Sequence, residues 1–277
     1  MTAFGSLRAL QSDSSTVPMT EPQIQTAIFL DVLSVPSPGE VFTALNKVCR
    51  PNWATLITPA TAPVTTERAQ LALAVGILAA NGYVAVEAQN GQQVKNVGRE
   101  IMIVAKSLGV SQSLLGRGNS LMEFADNSDW DALADELEAT ENEIKNTMVE
   151  QKDHDLVMLT SAAAWIRGLE VATSVVLAND SLKGGEELHQ PDLARRLAAQ
   201  LDAIPDRMKR GSLVSAVKRT LETTASLLEN PDTKAETLRE NFSKIHDDCS
   251  AIVREILNSK NLSPSPVSSP IPVHPKS

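Results

Sequence analysis

Apolar residues recur along this chain at helical rather than strand spacing. The clearest run lies near the end. Ala235, Leu238, Phe242, Ile245, Cys249, Ile252 and Ile256 step by alternating threes and fours, the a and d positions of a heptad seam along one helix. Val94, Val97, Ile101, Val104 and Leu108 form a second stripe with Lys95, Arg99 and Lys106 off it, which predicts a one-sided amphipathic helix stopped near Gly109. Trp130, Leu133, Leu137, Ile144 and Met148 predict another, reaching about Val149, with Ser128 ahead of Asp131 as its cap. Two stretches differ in kind. Residues 69–88 and 155–178 are apolar nearly all round, the pattern of central helices buried on most sides.

Helix breakers divide these segments. A helix over residues 39–48 ends at Arg50-Pro51-Asn52-Trp53, and Thr58 to Pro63 reads as a proline-stiffened connector. Thr65, Thr66 and Glu67 offer a cap for the first central helix. A short helix is expected from Asn119 to Ala125, and a loop from Asn179 to Gln190. Pro191 and Pro205 suit first turns. Gly211-Ser212 starts a helix with Leu213, Val217, Leu221 and Leu228 inward, and Asn230-Pro231 ends it.

The stretch GYVAVEAQNGQQVKN, residues 82–96, is ambiguous at first sight. Asn-Gly between apolar residues is a hairpin signal, and residues 78–93 look like part of a receiver domain. The acids that a phosphoacceptor site needs are missing upstream and downstream. A second strand after Gly91 would not alternate, whereas the helical stripe runs through the same residues to Leu108. The stretch therefore predicts two helices joined at Asn90-Gly91, with Asn or Gly in the left-handed C′ conformation. The fold expected is all-α, an antiparallel multi-helix bundle with two central apolar helices over residues 39–258. Residues 1–38 are expected to be a flexible segment, with a short helix over residues 21–33. Residues 259–277, rich in Pro and Ser, are expected to be a disordered tail.

Composition narrows the function. Aromatics are only 3% of the chain, which favours helices over sheets. The net charge is −9, and an acidic surface repels phosphate backbones, so no nucleic-acid partner is expected. No stretch of about 20 residues is free of charge, so no transmembrane segment is expected. The first residues lack an apolar run of the secretory kind, which makes the cytoplasm the default expectation. Cys49 and Cys249 lie far apart and have no metal-type spacing. Cys249 falls on the apolar seam as an inert core thiol, and Cys49 beside Arg50 is the more reactive candidate.

Candidate chemistry is sparse. Glu186-Glu187-Leu188-His189 holds one Glu-x-x-His unit without a second, where a di-metal bundle needs two. Asp153-His154-Asp155 and His246-Asp247-Asp248 are short acidic clusters at best suited to weak ion contact. Gly116-Arg117-Gly118-Asn119-Ser120 resembles a phosphate cradle, but no strand precedes it and no Lys follows, so a helix–helix corner is expected. No G-x-S-x-G sequence occurs. The informative residues are the polar interruptions of the central helices: Tyr83 and Glu87 in the first, Arg167 and Glu170 in the second. Buried charges need partners. If these helices are neighbours, the four residues make either a polar network that fixes register or the lining of an inter-helix pocket.

Lys47 to Trp53 (KVCRPNW), Arg68-Ala69-Gln70 and residues 82–96 together resemble an uncharacterised family of bacterial helical proteins, often exported, with no assigned activity. The resemblance spans roughly residues 40–258. It implies a helical fold and an exported or periplasmic location, and it carries no functional residue over. The function expected is that of a non-enzymatic helical bundle acting through protein contacts, including self-association, without cofactor or metal. The alternative is a small-molecule-binding bundle with a pocket around Glu87 and Arg167.

Overall fold

A computed structural model of the chain describes residues 35–59, 61–110, 114–209, 212–230 and 234–258. The expectations for residues 1–34 and 259–277 lie outside these residues. All regular structure among the described residues is helical. In chain order the helices are α1 (Pro38–Val48), α2 (Arg68–Glu87), α3 (Gly91–Leu108), α4 (Leu115–Asn127), α5 (Trp130–Glu150), α6 (His154–Leu177), α7 (Pro191–Asp202), α8 (Asp206–Lys209), α9 (Ser212–Leu228) and α10 (Ala235–Leu257). Single 3-10 turns occur at Trp53–Leu56 and Gly185–Leu188.

The central pair is α2 and α6, the two segments without a polar side, and they share the most extensive contact in the bundle. By length and composition both could cross a membrane, yet 89% and 100% of their apolar windows are buried by other helices. Around them lie α3, α5, α1 and α10, and α7 and α9 pack on each other and on the α10 side. Helices α2 to α6 alternate in direction along the chain. Lys95 pairs with Asp126 across α3 and α4, while Gly98 faces Leu121 on the same pair. Because direction alternates through α3, α4 and α5, α2 and α6 themselves run parallel. The cross-links rise together in both helices: Arg68 with Asp153, the Thr160 hydroxyl donating to Ala72 O at 3.0 Å, and Arg167 with Asn81. The parallel pair approaches closely at Gly76, where a Cβ would sit 2.1 Å from Thr160 O.

The amphipathic helices turn their apolar stripes inward. Val94, Val97, Ile101, Val104 and Leu108 are buried in α3, and Leu133, Leu137, Ile144 and Met148 in α5, with Trp130 half-buried. The heptad seam of α10 is filled from within the bundle by α6 and α9: Phe242, Ile245, Cys249, Ile252 and Ile256 are buried, Leu238 is half-buried and Ala235 is exposed. Arg239 on α10 donates to Leu177 O, Asn179 O and Asp180 O. It thereby supplies donors and positive charge to the carbonyl end of α6.

Several boundaries move for local chemical reasons. The left-handed residue after α2 is Gln89, at φ 51°, rather than Asn90 or Gly91. Gln89 N–H reaches Val86 O and Asn90 N–H reaches Ala85 O, closing the α2 end as a Schellman motif. Asn90 instead caps α3, its Oδ1 accepting from Gln93 N–H at 3.0 Å. Gly91 is required by closeness rather than by φ, since a Cβ there would lie 2.9 Å from Ala125 O of α4. Ser128 is left-handed at the end of α4, and the cap of α5 is Asp129, accepting from Ala132 N–H. The Gly116–Ser120 run is neither cradle nor corner. It lies inside α4, where Arg117 pairs with Glu136 and Glu143 of α5.

Candidate functional site

The polar interruptions of the central helices sort into two places. At about 100° per residue, Asn81 and Tyr83 stand on nearly opposite sides of α2, whereas Tyr83 and Glu87 are only about 40° apart. Asn81 therefore faces α6, and Tyr83 and Glu87 face α1 and α5.

The first place is built on Arg167. Its Nε donates to Asn81 Oδ1 at 2.8 Å and its Nη2 to Thr58 Oγ1 at 2.8 Å. Its Nη1 lies 2.8 Å from Glu170 Oε2, an ion pair by distance that lacks hydrogen-bond alignment. Arg167 and Glu170 are only 4% and 8% exposed. The guanidinium thus ties α6 to α2 and to the connector at Thr58. All three guanidinium nitrogens are thereby engaged by protein groups, an arrangement suited to fixing the register of the central pair. Behind Glu170, its backbone carbonyl lies 3.0 Å from His246 Nδ1 of α10.

The second place is a groove of about 390 Å³ between α1, α2 and α5. Tyr83, Val86 and Glu87 come from α2, Gly39, Glu40, Thr43 and Lys47 from α1, and Ala134, Asp135 and Glu138 from α5. The Ser37-Pro38-Gly39-Glu40 start of α1 shapes one wall. Ser37 Oγ accepts from Glu40 N–H at 3.2 Å and Ser37 N–H donates to Glu40 Oε2 at 2.7 Å, a reciprocal capping box. Gly39 allows the helix to lie on the Tyr83 ring, because a Cβ there would come within 2.8 Å of ring atoms.

Glu87 is held by Asn46 and not by Arg167. Asn46 Nδ2 donates to Glu87 Oε2 at 2.5 Å, while Trp53 Nε1 donates to Asn46 Oδ1 at 2.9 Å. The indole fixes which end of the Asn46 amide faces the carboxylate, and Trp53 is itself packed against Phe42 with ring centroids 5.1 Å apart. Partial burial raises the Glu87 carboxyl above its ordinary value, and the Asn46 bond opposes that rise. Tyr83 is 5% exposed, and its hydroxyl has no hydrogen-bond partner among the described residues. Burial pushes the phenol well above its usual range, and the carboxylates of Glu141, Glu138 and Glu40 add to the effect.

The expected four-residue network is therefore divided. Arg167 and Glu170 meet, and Tyr83 and Glu87 share a groove that Arg167 does not line. Sequence reasoning missed Asn81, Thr58 and Asn46 as partners and Glu40, Asp135 and Glu138 as groove residues. Asn81 did carry a signal: Asn81-Gly82 places two poor helix formers in the middle of an apolar helix. The three groove acids carried none, since each looks like any solvated helical acid.

The other candidates are dispersed. Among the described residues no group of three or more His, Cys, Asp and Glu could hold a metal ion. Both cysteines are free and buried. Cys49, expected to be the more reactive, donates to Lys183 O at 3.1 Å. Burial, then the nearby Glu170 and Asp248 carboxylates, push the Cys249 thiol far above its usual value. A second cleft, bounded by Pro38, Trp165 and Leu188, has only about 20 Å³ of open space, room for about one water. Compared with known proteins, the chain matches no family model, no curated sequence and no solved structure.

Proposed function

We propose that this chain is a non-enzymatic helical bundle that works by binding a small molecule in the groove between α1, α2 and α5. The observation that carries the reading is the groove itself, of about 390 Å³ and lined by Tyr83, Glu87, Lys47, Glu40, Asp135 and Glu138. The volume falls in the range of small-molecule sites, roughly 300–1,000 Å³. The lining includes no cysteine, so the groove offers no thiol nucleophile.

Action through protein contacts has weaker support. The heptad seam that motivated it is used inside the bundle. The exposed large apolar side chains Val64, Ile103 and Met122 lie on the connector, α3 and α4, away from any seam.

The test is thermal stabilisation of the full chain across a panel of cationic, neutral and anionic metabolites, repeated on Ala134→Trp, which fills the groove. At least one class should raise the wild-type Tm and fail to raise that of the variant. A panel without effect, or stabilisation equal in the two proteins, refutes the reading.

A further inference from the structure

The connector between α1 and α2 carries one hydroxyl that reaches the buried charge of the bundle, well away from the groove. Thr58 is exposed and lies outside any helix, between the 3-10 turn Trp53–Leu56 and Pro59. Ile57 before it is extended, at φ −65° and ψ 121°, and Pro59 after it disfavours helix at Thr58 itself. Kinases need a substrate hydroxyl presented in line with the γ-phosphate, which an extended, exposed segment allows. Among the described residues the Thr58 O–H donates to no group, and its oxygen serves only as an acceptor.

The second observation is what donates to that oxygen. Arg167 Nη2 lies 2.8 Å from Thr58 Oγ1, and Arg167 is only 4% exposed. Hydrogen bonds to Asn81 and Thr58 take one N–H from Nε and one from Nη2, while the contact of Nη1 with Glu170 Oε2 lacks hydrogen-bond alignment. Each Nη carries two N–H groups, so donors remain beside Thr58 for a further oxyanion. A guanidinium in this position suits a phosphate, whose oxygens it can take in pairs. The other hydroxyls nearby are spent locally. Thr55 donates to Asn52 O, and Thr65 accepts from Glu67 N–H. Ser37, which also precedes a proline, uses its oxygen in the cap of α1.

We propose that Thr58 is a phosphorylation site and that Arg167 is the receptor for its phosphate. In the step, the Thr58 oxygen bonds to the γ-phosphorus of a nucleoside triphosphate. The bond from that phosphorus to the β,γ-bridging oxygen breaks, the diphosphate leaves, and the hydroxyl proton passes to the catalytic base of a protein kinase. The phosphate brings a charge of roughly −1.5 to −2 beside the guanidinium and competes with Glu170 for it. A charge-assisted pair then replaces a bond to a neutral oxygen. Phosphorylation thereby locks the connector onto α6.

The test is incubation of the full chain with a proline-directed serine/threonine kinase and ATP, followed by peptide mapping. Phosphate should appear at Thr58, and Thr58→Val should lose it. Phosphorus magnetic resonance then titrates the modified chain against pH. Beside Arg167 the phosphate should give up its second proton below the ordinary value of about 6, with proton affinity lowered about tenfold or more. Unfolding in urea should restore the ordinary value. Glu170→Gln removes the competing carboxylate and should lower the value further. Arg167→Met with Glu170→Leu, which fills the site without charge, should return it to the ordinary range. The fold then favours the dianion, so the Tm gain from phosphorylation should be full above about pH 6 and fade as pH falls through the lowered value. A folded chain left unmodified at Thr58, or a phosphate that titrates at its ordinary value whether folded or unfolded, overturns the proposal.

Discussion

The parallel contact of α2 and α6 makes a sharp test of the architecture, because one added methyl group should act oppositely at two glycines. A Cβ at Gly76 would lie 2.1 Å from Thr160 O and 2.7 Å from Ala164 N, both backbone atoms of α6. Moving from 2.1 Å to an ordinary contact of 3.4 Å opens the central pair by roughly 1.3 Å. Overpacking costs about 1–3 kcal/mol where side chains can adjust. Here the obstacle is a helix backbone, so the upper end applies. The gain in helix propensity from Gly to Ala, about 1 kcal/mol, offsets part of it. Gly76→Ala should therefore lose about 2 kcal/mol, and more if the opening also stretches the Thr160–Ala72 and Arg167–Asn81 bonds that span the same contact. At Gly98 of α3 the nearest atom to an added Cβ is Leu121 Cδ1 at 4.0 Å. Gly98→Ala should gain up to about 1 kcal/mol. Urea denaturation followed by far-ultraviolet circular dichroism reads both, with unchanged slopes showing that the transition remains two-state. If Gly76→Ala is as stable as wild type, or if the two variants shift in the same direction, α2 and α6 do not pack as described.

Other consequences follow from the buried groups. Arg167→Ala leaves Glu170 and Asn81 unpaired in the core and should cost about 3–5 kcal/mol in urea denaturation; Arg167→Met with Glu170→Leu should be more stable than Arg167→Met alone, and strict additivity of the two changes would show that the pair is uncoupled. The folded protein raises the Glu87 carboxyl, so between the ordinary carboxylate value and the raised one the native state keeps a proton that the unfolded chain has released, and stability falls as pH rises through that window. Glu87→Gln removes this term, so its Tm relative to wild type should climb as pH rises through that window and then level; a difference that is flat with pH contradicts the assignment. Both thiols are buried, so a chromogenic disulfide reagent should titrate two thiols promptly in denaturant and react only slowly with the native protein, Cys249 slowest of all; prompt native reaction at Cys249 would mean that the seam of α10 is open.

Helix existence was written locally in this chain. The three-four spacing from Ala235 to Ile256, the stripe from Val94 to Leu108, and the absence of any polar side in residues 69–88 and 155–178 each specify a helix and the fraction of its surface that must be covered. The close match of α2, α3, α6 and α10 to those patterns follows from that, because periodicity and capping act within one turn. Even local chemistry was ambiguous by a residue or two. Asn90 and Ser128 each had two plausible jobs, and backbone bonds to Ala85 and Phe124, set once the preceding helices were complete, decided between them. Gly91 and Gly116 look alike in sequence, yet one is pinned by the backbone of α4 and the other meets open space.

The partners of the polar residues were decided only by tertiary structure. The sequence placed Tyr83, Glu87, Arg167 and Glu170 on two central helices, and the spacing of Arg167 and Glu170 already allowed their pairing. It could not say which flank of α2 meets α6, because a helix that is apolar all round has no pattern to orient it. The parallel course of α2 and α6 turns Asn81 toward Arg167 and leaves Tyr83 and Glu87 to α1 and α5. The groove with Glu40, Asp135 and Glu138 then arises from three segments distant in the chain. Its chemistry depends on which surfaces meet, and hydrophobic periodicity determines how much surface a helix buries but not against what.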